Sequence, residues 1–307
     1  MRQRGVISGV ILAVAAACVM TAATAATPGS PDIVTSDVDL FYKIYDAAGG
    51  HPSADQLQHD YLDKGSEGLH VLARMRNVTG ARIAETLGRR PQIYASAKKC
   101  MAVLPRVKAR LELDFHKLDE LYPQAIFPPV TIAVGRGNPV GIGSPLTGVQ
   151  IGLEALCATG WMNPEIEERF VHTIAHEYVH VQQPHALVDD EHPTVLEASI
   201  IEGAAEFVGE LISGAPAYTY FGPLTKGREK EIETAFTADE DKTNLSHWLY
   251  NSTPGKPADL GYWVGYRICK SYYEHTSDKR AAVRDIIQMT DPRAFLARSG
   301  WYPGIRL

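Results

Sequence analysis

Residues 171–183, V-H-T-I-A-H-E-Y-V-H-V-Q-Q, contain the pentad His176-Glu177-Tyr178-Val179-His180. On a helix, positions i and i+4 fall on one face, one turn apart, and two imidazoles at that spacing can reach a single zinc ion. Glu177 then lies on the flank of the same face, where it can touch a water at the metal without being a ligand. The plain alternative is a chance pentad on an amphipathic helix whose His and Glu face solvent. The flanking sequence argues for the site. Asn163-Pro164 reads as a helix start, with a capping Asn and a Pro at the first helical position. Glu165, Glu167 and Glu168 load the positive end of the helix dipole with negative charge. Ile166, Phe170, Ile174 and Tyr178 recur at four-residue intervals as a core stripe, and Pro184 stops the helix. The pentad therefore occupies the last turns of a long, delimited helix.

The 307 residues, 45% of them hydrophobic, can bury a sizeable core. A net charge of −6, with no basic run beyond short pairs such as Arg89-Arg90 and Lys98-Lys99, gives no sign of a nucleic-acid surface. Residues 1–26 read as an export signal. Arg2 and Arg4 precede an apolar, Ala-rich run that is short for a membrane span, and Ala23-Thr24-Ala25 offers a cleavage site. The expectation is an exported protein, periplasmic or secreted, and not transmembrane once the signal is cleaved. Ala16-Ala17-Cys18 leaves open a lipid anchor at Cys18, although Ala15 stands where such signals carry Leu. Cys100, Cys157 and Cys269 then remain. They allow one disulfide and one free thiol, or three buried unpaired cysteines.

Taken in order, residues 27–34 are a polar linker and residues 35–122 a helical N-terminal part. Ser53-Ala54-Asp55-Gln56 fits a capping box, and helices are expected near 67–76, 80–89 and 92–120. His70 and His116 stand alone and carry no ligand pattern. From residue 123 the composition changes. Val130-Thr131-Ile132-Ala133-Val134 and residues 147–153 read as strands joined by the glycine-rich run 135–143. That run lacks the Gly-Lys-Ser/Thr of a phosphate loop. An exposed strand there could pair with an extended peptide, or serve only as a structural sheet. A second helix is expected at about 194–213, with Glu197, Glu202, Glu206 and Glu210 set among Ile, Ala, Val and Phe. Carboxylates in so apolar a helix are costly unless paired or bound to a metal. Gly203, Ala204 and Ala205 are small enough to let two helices approach. A polar helix at about 225–241, a loop with Pro254 and Pro257, a helix near 259–274 and two short helices complete an α+β, mostly α-helical chain.

A third ligand is needed, since a catalytic zinc takes three protein groups and leaves a fourth position open. The H-E-x-x-H-x-x-G-x-x-H pattern fails, because Gln183 and Ala186 stand where Gly and His are required. The pentad followed by Glu202 and Glu206 on the next helix resembles the gluzincin arrangement of thermolysin-like peptidases. The order of F-P-P-V, H-E-Y-V-H-V-Q-Q, E-G-A-A-E-F and G-Y-W-V-G-Y-R-I resembles a family of exported bacterial proteins described as Zn-dependent proteases, related to a gliding-motility lipoprotein. The resemblance implies a zincin-like fold, with a small sheet packed by an active-site helix and a second, Glu-bearing helix. It implies that residues 123–307 form the metallopeptidase part, compact with residues 35–122. It also implies His176, His180 and Glu202 as zinc ligands and Glu206 as the acid orienting His176 or His180.

Zinc held there would acidify a water and polarise a carbonyl, with Glu177 as general base on a peptide or protein substrate. The oxyanion needs a donor. Tyr262, Tyr266 and Arg267 are candidates on a late aromatic helix, with Tyr266 preferred and packing as its alternative. His172 shares the ligand face and reads as structural. A different class also fits: a zinc-stabilised envelope binding or assembly protein without turnover.

Overall fold

The computed structural model describes residues 30–307 except Pro139, Pro254 and Pro257. The signal, the lipidation cysteine and residues 27–29 of the linker expected from sequence lie outside the described residues. The described chain is a mostly helical α+β fold around one four-stranded sheet. Strands β1 (Ile33–Val34), β2 (Val130–Ala133), β3 (Gly141–Ser144) and β4 (Gly148–Gly152) lie in the order β1-β2-β4-β3. The first three neighbours in that order run parallel, and β3 pairs antiparallel to β4 as an edge strand. Every residue of β2 and β4 is buried, as strands covered on both faces must be. The helix Glu67–Arg76 reaches the sheet closely only because Gly68 has no side chain; a Cβ there would overlap Thr131.

Two helices set the site. The motif helix, Ile166–Gln182, lies along β3 and β4, and the acid helix, Val195–Ser213, packs on the motif helix. The acid helix is packed in turn on a third, Leu260–His275. Gly203 and Gly265 make that second contact. A Cβ on Gly203 would lie 2.0 Å from the Gly265 carbonyl carbon, and one on Gly265 would lie 1.6 Å from Ser199 O. One continuous hydrophobic core joins Phe41 and Tyr61 of the N-terminal helices to Val130, Ile151, Phe170, Tyr178, Ala204 and Val264. Among the described residues no helix is long and apolar enough to cross a membrane.

Several expected elements shift. The helix expected at 92–120 is two, Pro91–Met101 and Leu104–Leu121, because Pro105 lacks an N–H and can only begin a helix. The motif helix starts at Ile166, with Glu165 at the N-cap position and no side-chain cap, and not at Pro164. Asn163 instead accepts from Glu165 N at 3.1 Å in a turn of its own. Ile166 is accordingly only half-buried, while Phe170, Ile174 and Tyr178 form the expected core stripe. The polar helix shrinks to Glu229–Thr237, since Gly227 takes a left-handed φ of 79°. Strand β3 comes from the run of glycines that read as a connection. Cys100 and Cys157 form a disulfide, and Cys269 is free and buried.

Candidate metal centre

The motif helix is held at its start by charge. Arg106 Nε donates to Glu167 at 2.6 Å and Arg110 pairs with Glu168, both arginines coming from the helix Leu104–Leu121. The acid helix is capped by Thr194, whose side chain accepts from Glu197 N at 3.2 Å, and ends at Gly214 in a left-handed turn. Gly209 lets it approach the motif helix, with its Cβ position 3.3 Å from the His176 backbone. Glu202 and Glu206, one turn apart, therefore face the pentad.

His176 Nε2 and His180 Nε2 lie 3.2 Å apart, and Glu202 Oε2 is 3.3 Å from the first and 3.2 Å from the second. Among the described residues these three form the group placed to hold a metal ion. A tetrahedral zinc with bonds near 2.0–2.1 Å spaces its ligand atoms about 3.3 Å apart, so the triangle fits that ion without rearrangement. Its charge fits as well. Burial pulls His176 toward neutrality, yet Glu202 and Glu206 outweigh it and push its pKa up. Burial likewise opposes ionisation of Glu202, yet the two imidazoles hold its carboxyl far below the usual range. The pocket is built to surround a positive charge.

Both histidines are oriented from behind. His180 Nδ1 is 2.7 Å from Gln183 Oε1, and Gln183 Nε2 donates to Ile201 O at 2.9 Å. The amide oxygen therefore accepts a hydrogen bond from Nδ1–H and leaves Nε2 free to ligate. His176 Nδ1 faces Glu206 Oε1 at 3.0 Å, off-line for a good hydrogen bond, and neither buried atom has a better partner. Glu206 Oε2 accepts from Ala217 N at 3.1 Å. Of the two histidines offered for Glu206, the fold presents His176. Glu202 Oε1 accepts from the Tyr250 hydroxyl at 2.8 Å.

The triangle opens into a cleft of about 640 Å³. Gly141, Ile142 and Gly143 of β3 form one wall and Tyr218, Tyr250 and Tyr262 another, with residues 187–191 at the rim. Gly143 is required by contact with the motif-helix backbone, and Gly141 leaves room for the Glu177 side chain. A Cβ on Gly143 would lie 1.9 Å from Glu177 O, and one on Gly141 would lie 2.6 Å from Glu177 Oε1. Glu177 thus sits between the edge strand and the ligand triangle. Burial pushes its carboxyl pKa up against the pull of the neighbouring imidazoles. Tyr262 stacks on His176 with ring centroids 6.1 Å apart, and Tyr218 stands edge-on to both. Burial raises the Tyr218 and Tyr262 phenols, and adjacent carboxylates add to it.

Tyr266 is not brought to this cleft. It lies one turn further along the late helix, where its hydroxyl bonds Glu210 and its ring meets Phe207 of the acid helix. The two tyrosines share a face of the late helix, and it is Tyr262, one turn earlier, that lies level with His176. Arg267 pairs with the buried Glu233 and with Ile305 O. His172 bonds Ser213 and Glu168 and stays outside the triangle. Sequence reasoning met Gln183 only as a broken pattern; it lies just past the helix end, in extended backbone, where helical spacing gives no signal. Tyr218 and Tyr250 carry no spacing signal, because loops deliver them.

A protein-family model described as predicted Zn-dependent protease (DUF2268) matches residues 159–290. That span contains the triangle, Glu177, Gln183, Glu206 and the three cleft tyrosines, and this part of the chain is similar to zinc-dependent proteases. No curated protein and no solved structure matches the chain.

Proposed function

We propose that the protein is a zinc-dependent peptidase. The observation that carries the reading is the equilateral His176–His180–Glu202 triangle, with the carboxylate of Glu177 between it and an edge strand. The donor set of two neutral nitrogens and one carboxylate oxygen suits zinc. When bound, zinc supplies a Lewis acid that acidifies a water and polarises a carbonyl. Glu177 would accept the proton of a water at the site on its carboxylate and return it to the leaving amine. Strand β3, at the sheet edge along the cleft, offers main-chain groups to an extended peptide. The protonated hydroxyls of Tyr218 and Tyr262 are the donors best placed for an oxyanion, in place of Tyr266. The Cys100–Cys157 disulfide supports an exported location, periplasmic or secreted.

The test is zinc content and cleavage of a broad peptide library. The wild type should hold one zinc per chain and cleave. Glu177→Gln should keep the zinc and lose at least about 10²-fold in kcat. Zinc retained with no cleavage by the wild type would instead favour a zinc-stabilised binding or assembly protein.

A further inference from the structure

Tyr250 is held in an unusual way. Its backbone takes a left-handed φ of 57°, a conformation disfavoured for a residue with a bulky side chain. It is 65% exposed, so burial of the ring gives little in return. Its hydroxyl nevertheless reaches 2.8 Å from Glu202 Oε1, and its ring stands edge-on to Tyr262 at 6.0 Å. Asp259, nine positions on, is also left-handed, with φ 55°. Between them the chain closes on itself. Asn251 N donates to Asp259 Oδ1 and Asp259 N donates to Asn251 Oδ1, each at 2.7 Å. Ala258 N donates to Ser252 Oγ at 2.7 Å, and Thr253 bridges Lys256. The base of this closed loop is fixed to the late helix by Gly261 N, which donates to Trp248 O at 2.7 Å. Two non-glycine residues in left-handed backbone therefore flank a loop pinched by a reciprocal pair, and the product of that geometry is one phenol hydroxyl on one carboxylate oxygen.

We propose that Tyr250 is a positioning residue for the third metal ligand, and that the pinched loop 251–259 exists to present it. A carboxylate offers two oxygens. With Oε1 occupied by an O–H donor, Glu202 presents Oε2 alone to the imidazole pair and cannot rotate about its terminal bond. The ligand is thereby fixed as a single oxygen, and the site keeps room beside it. This rests on the zinc site of the proposed function but not on turnover.

The test measures zinc affinity by competition with a chromophoric chelator, together with the visible spectrum of the cobalt-loaded protein. Tyr250→Phe keeps the ring and removes only the hydroxyl. It should weaken zinc by about 10-fold or more, the range seen when groups behind metal ligands are removed, and alter the cobalt bands. Asp259→Ala, which opens the pinch without touching the site, should weaken zinc by a smaller factor. Asp259→Asn keeps an acceptor for Asn251 N and should restore most of it. A Tyr250→Phe affinity within two-fold of wild type with an unchanged cobalt spectrum overturns the proposal, as does a wild type that binds no zinc. Weakening by Tyr250→Phe but not by Asp259→Ala overturns the role given to the loop. A wild type that binds zinc and cleaves no peptide would sink the peptidase reading while leaving this one to be decided by the affinities.

Discussion

At the scale of single residues the charged interior is concentrated on the motif helix and its neighbours, and not all of it serves the cleft. Asp114, on the helix Leu104–Leu121, is 5% exposed, and its Oδ2 has no partner. Burial pushes its pKa up from 3.8 to about 6, against the pull of Lys117 and Arg110. In the unfolded chain the group ionises at its ordinary value. Between the two pKa values the folded state therefore binds more protons than the unfolded one, and stability falls as pH rises. The contribution of neutral Asp114 is complete below pH 3.8 and is lost as the pH passes about 6. Asp114→Asn removes the ionisable group and keeps the shape. At pH 7.5 it should stabilise the protein relative to wild type by about 1–3 kcal/mol more than it does at pH 4. Urea unfolding at the two pH values measures this, and a difference that does not depend on pH would refute it.

At the scale of elements the site depends on how closely helices can approach. Gly203 of the acid helix and Gly265 of the late helix touch through their backbones. Gly203→Ala should force the helices apart, costing about 1–3 kcal/mol or more of stability and loosening zinc by displacing Glu202. Gly222 has open space around its Cβ position, and Gly222→Ala should leave both quantities nearly unchanged. Chemical denaturation and zinc titration of the pair distinguish a packing effect from a general intolerance of alanine. This contact was legible in outline, because E-G-A-A-E combined carboxylates with residues too small for an ordinary core helix. The pentad, Glu202 and Glu206 were legible for the same reason: helical spacing places residues on a face before any tertiary contact is known. Strand β3 was not, since a glycine such as Gly143, which sits against the Glu177 backbone, looks like a loop glycine until the helix lies against it. Tyr250 was beyond reach for a different reason. Its position follows from a reciprocal Asn251–Asp259 pair and two left-handed residues, none of which has a periodicity to read. Tyr266 was preferred over Tyr262 because the two share a face and spacing alone does not say which turn of the late helix lies level with the triangle.

At the scale of the whole molecule the chain separates what holds it folded from what holds the metal. The proposed ligands come from two adjacent helices and contact Gln183, Glu206 and Tyr250 from behind. The disulfide ties a different pair of elements. Cys100 lies on the helix Pro91–Met101, and Cys157 on the short helix Leu153–Ala158 that follows β4. The bridge closes a sequence separation of 57 residues, spanning β2, β3 and β4. Restricting a loop of that length in the unfolded chain is worth about 4 kcal/mol on the chain-entropy account. Removing both cysteines as Cys100→Ala with Cys157→Ala should therefore lower stability by about 2–4 kcal/mol, seen as a lower denaturation midpoint. Zinc affinity measured well below that midpoint should stay within about two-fold of wild type, because no atom behind the triangle belongs to either bridged helix. A large loss of zinc affinity in a variant that is still folded would show that the sheet, through β3 and its contact with Glu177, transmits strain from the bridge to the cleft.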